Sequence, residues 1–204
     1  LLVHFFVGRA TITTPLLAAS RSAGGTAPAE AERVALDLLA ERVQALSRLL
    51  KYEFQFRADA TFETIFAETL GEMERDGEIV LEPEGYARLA PPGEGRERAV
   101  LHARMLRSFV EGYRVAARSL AALLKAPLAP KDVAKRAMAV GERMFLAGEI
   151  ECREAVSRPV IDNALLAFVD QGYLGRTDGK YALPESFASA DAVGTIEARI
   201  ASYL

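Results

Sequence analysis

Apolar residues recur at three- and four-residue steps along most of this 204-residue chain, and this spacing predicts amphipathic helices. The six predicted stripes begin at Leu36, Phe62, Leu101, Val133, Ile161 and Val193. Asp59 and Ser157 precede two of the stripes and are predicted to cap the N-termini of those helices. Gly77, Gly148 and Gly172 follow three of the stripes, as glycines at helix C-termini do. The pattern therefore predicts a mainly α fold.

One stretch, KYEFQFRADATF at 51–62, departs from this pattern because Tyr52, Phe54 and Phe56 occupy alternate positions. Alternation of that kind is typical of a half-buried strand. Phe54 also continues the four-residue step of the preceding helix, so both interpretations remain open. In either case we expect a hinge between two helices, with Phe54, Phe56 and Phe62 packed inward.

Two segments, 76–89 and 171–183, share an order of features that is typical of a helix followed by a β-hairpin. In both DGEIVLEPEGYARL and QGYLGRTDGKYAL, a helix ends at a glycine, an apolar pair follows, and a tyrosine begins a second strand after a turn. The pair Asp178 and Gly179 is typical of a hairpin turn. We therefore predict a helical bundle with two short helix-plus-β-hairpin (winged-helix-like) units.

A winged helix that reads DNA brings lysine and arginine side chains to the phosphates, and these two units do not. The helix at 60–76 has Arg75 as its only base, and the helix at 158–171 has only Arg158. The formal net charge of -3 and the pI near 5.6 agree with this. We predict no nucleic-acid partner. A winged-helix-like regulatory or protein-interaction module remains an alternative, as do hairpins that only seal the end of a helical bundle.

The first 20 residues, LLVHFFVGRATITTPLLAAS, are long and apolar enough to reach across a bilayer. Arg9 lies near their middle, however, and an arginine there costs roughly 2.5–3.5 kcal/mol on insertion scales. We therefore predict a helix that is buried against a partner domain or lies on a membrane surface, rather than one that spans the membrane. Residues 20–30, SRSAGGTAPAE, are predicted to form a flexible link.

Charge is distributed unevenly along the chain. Residues 58–85 contain nine acids and one base, a net of -8, whereas residues 96–143 contain eleven bases and four acids, a net of +7. Either the two stretches pair inside the domain, or the basic one meets anionic lipid or a phosphorylated ligand. We hypothesise peripheral attachment to an anionic membrane through residues 1–20 and one arginine-rich helix face. That face is formed by Arg104, Arg107, Arg114 and Arg118.

No catalytic, cofactor-binding or metal-binding residue is predicted in this chain. His4 and His102 have no acid at the spacing of acyl-transfer or zinc motifs, and Cys152 is distant from both in sequence. A single cysteine allows no internal disulfide, and we interpret it as structural. Glu149 and Glu151 lie in a connector, where we expect them to be solvated.

Three segments follow one another in a recognisable order. They are LLKYEFQFRADATFETIFAETLGEMERDGEI, FVEGYRVAARSL and EAVSRPVIDNALLAFVDQGYL. This order resembles the C-terminal region of bacterial and mitochondrial-type glycerol-3-phosphate acyltransferases over nearly the whole chain. The run around Pro15, Leu16 and Leu17 is similar to the apolar segment that precedes this region in the family, although the usual asparagines and histidine ahead of the proline are missing here.

The resemblance implies a membrane-associated enzyme of phospholipid biosynthesis. Such an enzyme transfers an acyl group from acyl-CoA or acyl-carrier protein to the sn-1 position of glycerol 3-phosphate. The family signature H-x-x-x-x-D is absent, because Arg9 and Arg107 occupy the fifth position after the two histidines. The catalytic domain is therefore expected upstream of this chain, where the signature histidine would act as general base and the aspartate would orient it.

On this interpretation residues 1–28 are an apolar segment and linker, and residues 29–204 are a helical C-terminal accessory domain of a larger acyltransferase. The expected partners are an anionic membrane surface and the upstream catalytic domain, which binds the acyl donor and glycerol 3-phosphate. The expected location is the cytoplasmic face of a membrane, namely the bacterial inner membrane. A helical scaffold of another membrane-surface enzyme is a further alternative.

Overall fold

The computed structural model describes residues 3–22, 32–55 and 59–204. The helices are α1 (Val3–Ser22), α2 (Leu36–Leu49), α3 (Phe62–Arg75), α4 (Glu94–Ser119), α5 (Pro130–Leu146), α6 (Arg158–Asp170) and α7 (Ala190–Ala201). The strands are β1 (Val34–Ala35), β2 (Ile79–Glu82), β3 (Tyr86–Leu89), β4 (Gly175–Thr177) and β5 (Lys180–Ala182). A mainly α fold with two helix-plus-hairpin units is therefore confirmed.

The chain forms two compact units, Leu1–Leu106 and Arg107–Leu204, and the boundary between them falls inside helix α4. Helix α1 belongs to the first unit, where it contacts α2, α3 and β3. The sequence-based division into residues 1–28 and 29–204 stays a prediction about the domains of the protein.

The core of the first unit lies between helices α1 to α3 and an antiparallel sheet with strand order β1-β3-β2. The prediction included the hairpin of β2 and β3 but not β1, which has only two residues. The buried side chains include Ile12, Leu16, Leu39, Val43, Leu70, Met73, Ile79 and Leu89. Burying a large aliphatic side chain contributes about 1.5–3 kcal/mol.

The apolar residues of α1 contribute to this core, which the sequence did not predict. Val7, Ala10, Ile12 and Leu16 are each at most 3% exposed. The expectation of a helix whose apolar residues are buried against a separate partner or rest on a membrane is therefore corrected for these residues. Among the described residues, no helix combines the length and apolarity needed to cross a membrane.

The described part of the stretch 51–62 contains no strand. The chain turns after α2, and the amide of Phe54 donates to the carbonyl of Leu50 at 3.3 Å. Phe54 is buried, as predicted, whereas Phe62 is half-buried and stacks on Phe66. Phe56 lies outside the described residues, so its inward packing stays a prediction.

Helix α3 begins directly after Thr61, whose hydroxyl accepts a hydrogen bond from the amide of Thr64 at 3.3 Å. The predicted cap Asp59 is therefore wrong, because it lies two residues before the capping position. The predicted end at Gly77 is confirmed. Its φ of 68° is a left-handed conformation that glycine adopts without a steric penalty, and the amide after it donates back into the last turn of the helix.

The second unit packs the C-terminal part of α4 with α5, α6, α7 and the hairpin of β4 and β5. Tyr113 of α4 and Phe168 of α6 are fully buried, and their rings meet edge to face with centroids 6.1 Å apart. Ser157 occupies the N-cap position of α6 as predicted, but its side chain makes no capping hydrogen bond. Gly172 follows this helix with a φ of 72°, as predicted.

The second hairpin has the predicted turn, because Asp178 and Gly179 both have positive φ, at 51° and 74°. Positive φ at both central residues is typical of a type I′ turn. Tyr181 of β5 exchanges two backbone hydrogen bonds with Leu128, at 2.8 and 3.0 Å. The hairpin is thereby tied to the segment that leads into α5.

Gly95 of α4 approaches the α3–β2 turn so closely that a Cβ atom there would lie 1.8 Å from the carbonyl oxygen of Gly77. We predict that Gly95→Ala lowers the free energy of unfolding by about 1–3 kcal/mol, because backbone must move to admit the methyl group. The matched control is Gly71→Ala in α3, where no heavy atom lies within 4 Å of the new methyl group.

The control should gain up to about 1 kcal/mol from the higher helix propensity of alanine. Urea denaturation of the two variants beside the unchanged protein measures both effects. Equal stability of the two variants would show that α4 does not contact the turn as closely as described.

Candidate functional site

Five charged or titratable side chains meet where the α3–β2 turn contacts α1 and α4. We call this group the Glu78 cluster, and its members are Arg9, Asp76, Glu78, Arg98 and His102. The side chain of Glu78 is only 1% exposed, and its Oε1 accepts a hydrogen bond from Arg9 at 2.8 Å. Arg9 also pairs with Asp76 at 2.7 Å, and this hydrogen bond lowers the pKa of the Asp76 carboxyl.

The second oxygen of Glu78, Oε2, faces Nδ1 of His102 at 3.5 Å, and both atoms are buried without a hydrogen-bond partner among the described residues. The distance exceeds that of a normal hydrogen bond. The imidazole also stacks on the ring of Phe6, and the two ring centroids are 5.3 Å apart. Burial lowers the pKa of His102, and this outweighs the opposing effect of the Glu78 carboxylate. The histidine is therefore neutral at neutral pH and sheltered from solvent.

The sequence did not predict the Glu78 cluster. Arg9 and Glu78 are 69 residues apart, and the acid that faces His102 comes from the distant α3–β2 turn. The one available signal was an arginine inside an apolar run, which must find an acid if that run is buried. The cluster joins α1, the turn and α4, and its histidine, the residue best suited to proton transfer at neutral pH, is buried.

A second buried carboxylate lies in the other unit. Glu111 of α4 is 1% exposed and accepts hydrogen bonds from the backbone amides of Glu151 at 3.1 Å and Cys152 at 2.7 Å. Arg107 donates to the same carboxylate at 2.9 Å. This arrangement holds the connector between α5 and α6 against α4.

The thiol of Cys152 lies beside this carboxylate. Burial, together with the negative charge of Glu111, raises the pKa of Cys152 to about 11. The thiol is therefore protonated at neutral pH and is a poor nucleophile. This environment agrees with the structural interpretation of the single cysteine.

Arg114 and Arg118, two members of the predicted arginine-rich face, are engaged in ion pairs within the second unit. Glu197 of α7 accepts from Arg114 at 3.1 Å and from Arg118 at 2.5 Å, and both arginines also pair with Glu149. Burial alone would raise the pKa of Glu197, but the hydrogen bonds from the two arginines lower it. Glu149 is exposed, as expected, and is also held by these ion pairs.

Arg107 likewise pairs with Glu111 and, at 2.7 Å, with Glu151, whose side chain is 68% exposed, as expected. The acidic stretch 58–85 supplies none of these partners, so the prediction that the arginine-rich face pairs with it is wrong for these arginines. Arg104 is exposed and makes no ion pair with a described residue.

An open groove of ≈ 350 Å³ lies beside α5 and is lined by Leu128, Asp132, Lys135, Arg136 and Ala139. An adjoining groove of ≈ 490 Å³ shares Asp132 and Lys135 and adds Arg158. Both grooves combine bases with apolar lining. Among the described residues, no three histidine, cysteine or acidic side chains are arranged to hold a metal ion.

We predict that acidification weakens the protein through His102. Its pKa is lowered in the folded state, so the unfolded chain binds more protons below the ordinary value of 6.5 and stability falls as pH drops. The denaturation midpoint in urea should therefore decrease between about pH 7.5 and about pH 5.5. His102→Gln should remove most of this decrease.

His4→Gln, at the other histidine of the chain, is the matched control and should keep the pH dependence. The lowered pKa values of Asp76 and Glu197 act only at lower pH, below the ordinary carboxyl values. A pH dependence that is identical in His102→Gln and the unchanged protein would contradict the prediction.

We predict that iodoacetamide modifies Cys152 slowly in the folded protein. A pKa of about 11 against the ordinary 9.0 means about 100-fold less thiolate than in the unfolded chain at the same pH. Mass spectrometry of timed samples, with and without urea, measures the ratio of the two rates. Glu111→Gln should speed up the reaction of the folded protein, and equal rates in the folded and unfolded chains would exclude the protected thiol.

A comparison with protein families places these features in a known context. The family model described as the glycerol-3-phosphate acyltransferase C-terminal region matches residues 1–177, which include the Glu78 cluster, Glu111 and α5. Among curated proteins, none matches the chain significantly. The match covers most of the chain and confirms the resemblance found in its motifs. The chain therefore belongs to the family of glycerol-3-phosphate acyltransferase C-terminal regions.

Proposed function

We propose that this chain is the C-terminal part of an enzyme that acylates the sn-1 hydroxyl of glycerol 3-phosphate in phospholipid biosynthesis. The acyl donor is acyl-CoA or acyl-carrier protein. The family match over residues 1–177 carries the proposal. In this proposal the H-x-x-x-x-D histidine of an upstream catalytic domain takes the proton of the attacking hydroxyl.

The environments of His102 and Cys152 support an accessory role for this region. His102 is 6% exposed and is followed at the fifth position by Arg107 instead of an aspartate. The Cys152 thiol stays protonated because its pKa is about 11. Neither residue is suited to activate glycerol 3-phosphate, so the proposal assigns the chemistry to residues outside this chain.

The surface of α3 argues against a winged helix that reads nucleic acid. A recognition helix needs exposed bases, but the exposed charged residues of α3 are mostly acidic, and such a surface repels phosphates. The exposed acids of α3 are Glu63, Glu68, Glu72 and Glu74.

Peripheral attachment to the cytoplasmic face of an anionic membrane, the bacterial inner membrane, is part of the proposal. The acylated product is an amphiphile that partitions into lipid, so an enzyme at the membrane surface releases it where it is used. The acyl donor and glycerol 3-phosphate bind to the catalytic domain, and the present region is the structural partner of that domain.

We predict that the purified 204-residue chain does not acylate glycerol 3-phosphate with either acyl donor, because its sequence lacks the H-x-x-x-x-D signature. The full-length protein should do so. Radiolabelled glycerol 3-phosphate and extraction of the lipid product measure the reaction, and positional analysis should find the acyl group at sn-1.

Two variants of the full-length protein complete the experiment. Replacing the upstream signature histidine by alanine should abolish turnover, whereas His102→Gln should retain it. Turnover by the 204-residue chain alone would refute the accessory role. A full-length protein that acylates only sn-2, or acylates nothing, would refute the proposed reaction.

A further inference from the structure

Helix α5 presents a face of exposed bases toward solvent. We call this face the α5 stripe, and its members are Lys131, Lys135, Arg136, Arg143 and Leu146, all of them exposed. At 100° per residue these five positions fall within one arc of the helix, opposite the buried residues Val133, Ala137 and Met144. The same arc contains two acids, Asp132 and Glu142.

The bases of the α5 stripe have no ionic partner among the described residues, unlike three of the four arginines of the predicted α4 face. In α4, Arg107, Arg114 and Arg118 are all held in ion pairs with acids of the same unit. Much of the positive charge that α4 contributes to the basic stretch 96–143 is therefore neutralised by acids of the same unit. Among the described bases of α4 and α5, those available to an external anion are the bases of the α5 stripe and Arg104.

Leu146 distinguishes this surface from a simple basic patch. Its side chain is 82% exposed, more than any other large hydrophobic residue whose side chain is described. It lies one turn beyond Arg143 on the stripe. A groove of ≈ 350 Å³ with Lys135 and Arg136 in its lining opens on the same side of the helix.

These features together select the type of partner. A soluble phosphate compound would use the bases but would leave Leu146 in water. An anionic membrane satisfies both, because lysine and arginine meet the headgroup phosphates while an aliphatic side chain enters the acyl boundary.

We infer that the α5 stripe is the surface through which this region contacts anionic phospholipid headgroups, with Leu146 inserted among the acyl chains. The inference deepens the proposed peripheral attachment and rests on it. It relocates the contact from the arginine-rich face of α4 to α5.

Partitioning of the full-length protein into vesicles tests the inference. The variant Lys135→Gln/Arg136→Gln/Arg143→Gln should bind about 100-fold more weakly to phosphatidylcholine vesicles that contain phosphatidylglycerol, since each base near an anionic surface contributes about fivefold. Raised salt should likewise weaken the binding of the unchanged protein to these vesicles. Leu146→Gln should weaken binding about tenfold, with or without the anionic lipid.

The matched control is Arg48→Gln/Arg153→Gln/Lys180→Gln, which removes the same charge from exposed bases elsewhere on the chain. It should change partitioning only slightly. Unchanged partitioning of the α5 variant, or a loss that the control shares, overturns the inference. So does a variant that keeps vesicle binding and loses only the use of acyl-carrier protein, because the stripe would then dock an acidic protein.

Acylation of glycerol 3-phosphate in non-ionic detergent micelles, with acyl-CoA as donor, separates this inference from the proposed function. The α5 variant should retain that activity, which also shows that it is folded. Loss of vesicle binding with retained activity supports the stripe. Absence of activity in the unchanged protein refutes the proposed reaction, and vesicle binding then still decides for or against the stripe.

Discussion

The first unit depends on the compensation of one buried negative charge. The carboxylate of Glu78 is 1% exposed, and a carboxylate removed from water is strongly destabilising unless a cation is paired with it. Arg9, which is 69 residues away in the sequence, supplies that cation, and its guanidinium donates to Glu78 Oε1 at 2.8 Å. The pair joins α1 to the turn that begins the sheet, so the position of the N-terminal helix and the charge of Glu78 stabilise each other. The imidazole of His102 covers the other carboxylate oxygen, Oε2, at 3.5 Å without forming a hydrogen bond to it.

The second unit meets the same constraint by different means. Glu111 is equally buried, and its oxygens accept from two backbone amides of the connector as well as from Arg107. A backbone amide can leave its acceptor only if the main chain moves. The hydrogen bonds to the carboxylate therefore fix the path of the connector between α5 and α6. One by-product is the environment of Cys152, whose thiol is kept protonated by burial and by the neighbouring charge.

The pairing of charged side chains inside the protein also limits which residues can contact a substrate or a lipid. Groups that are buried or paired, such as His102, Arg114 and Arg118, are not available to substrates or lipids. The groups that remain available are on surfaces, chiefly the exposed face of α5. This distribution agrees with the accessory role proposed for this member of the glycerol-3-phosphate acyltransferase C-terminal region family.

Local features of the fold could be predicted from the sequence because they depend on neighbouring residues only. The apolar stripes, the glycine at 77 after α3 and the Asp178–Gly179 turn require only helical spacing or a positive φ. The structure has each of them, although Leu101 at the start of the α4 stripe is 56% exposed. Thr61 displaced Asp59 as the cap of α3, because both residue types accept amide hydrogen bonds and only the helix start distinguishes them.

Tertiary structure alone decided which charges meet. Many acid–base combinations are compatible with the composition, and the sequence left open whether the basic stretch pairs with the acidic stretch 58–85 or meets an external anion. Arg9 and Glu78 are 69 residues apart, and Glu111 and Cys152 are 41 apart. The sequence determined by itself the helices, the hairpins, the family and the absence of a family signature. The fold decided the partners of the buried charges, because such pairings depend on distances in space that no local pattern encodes.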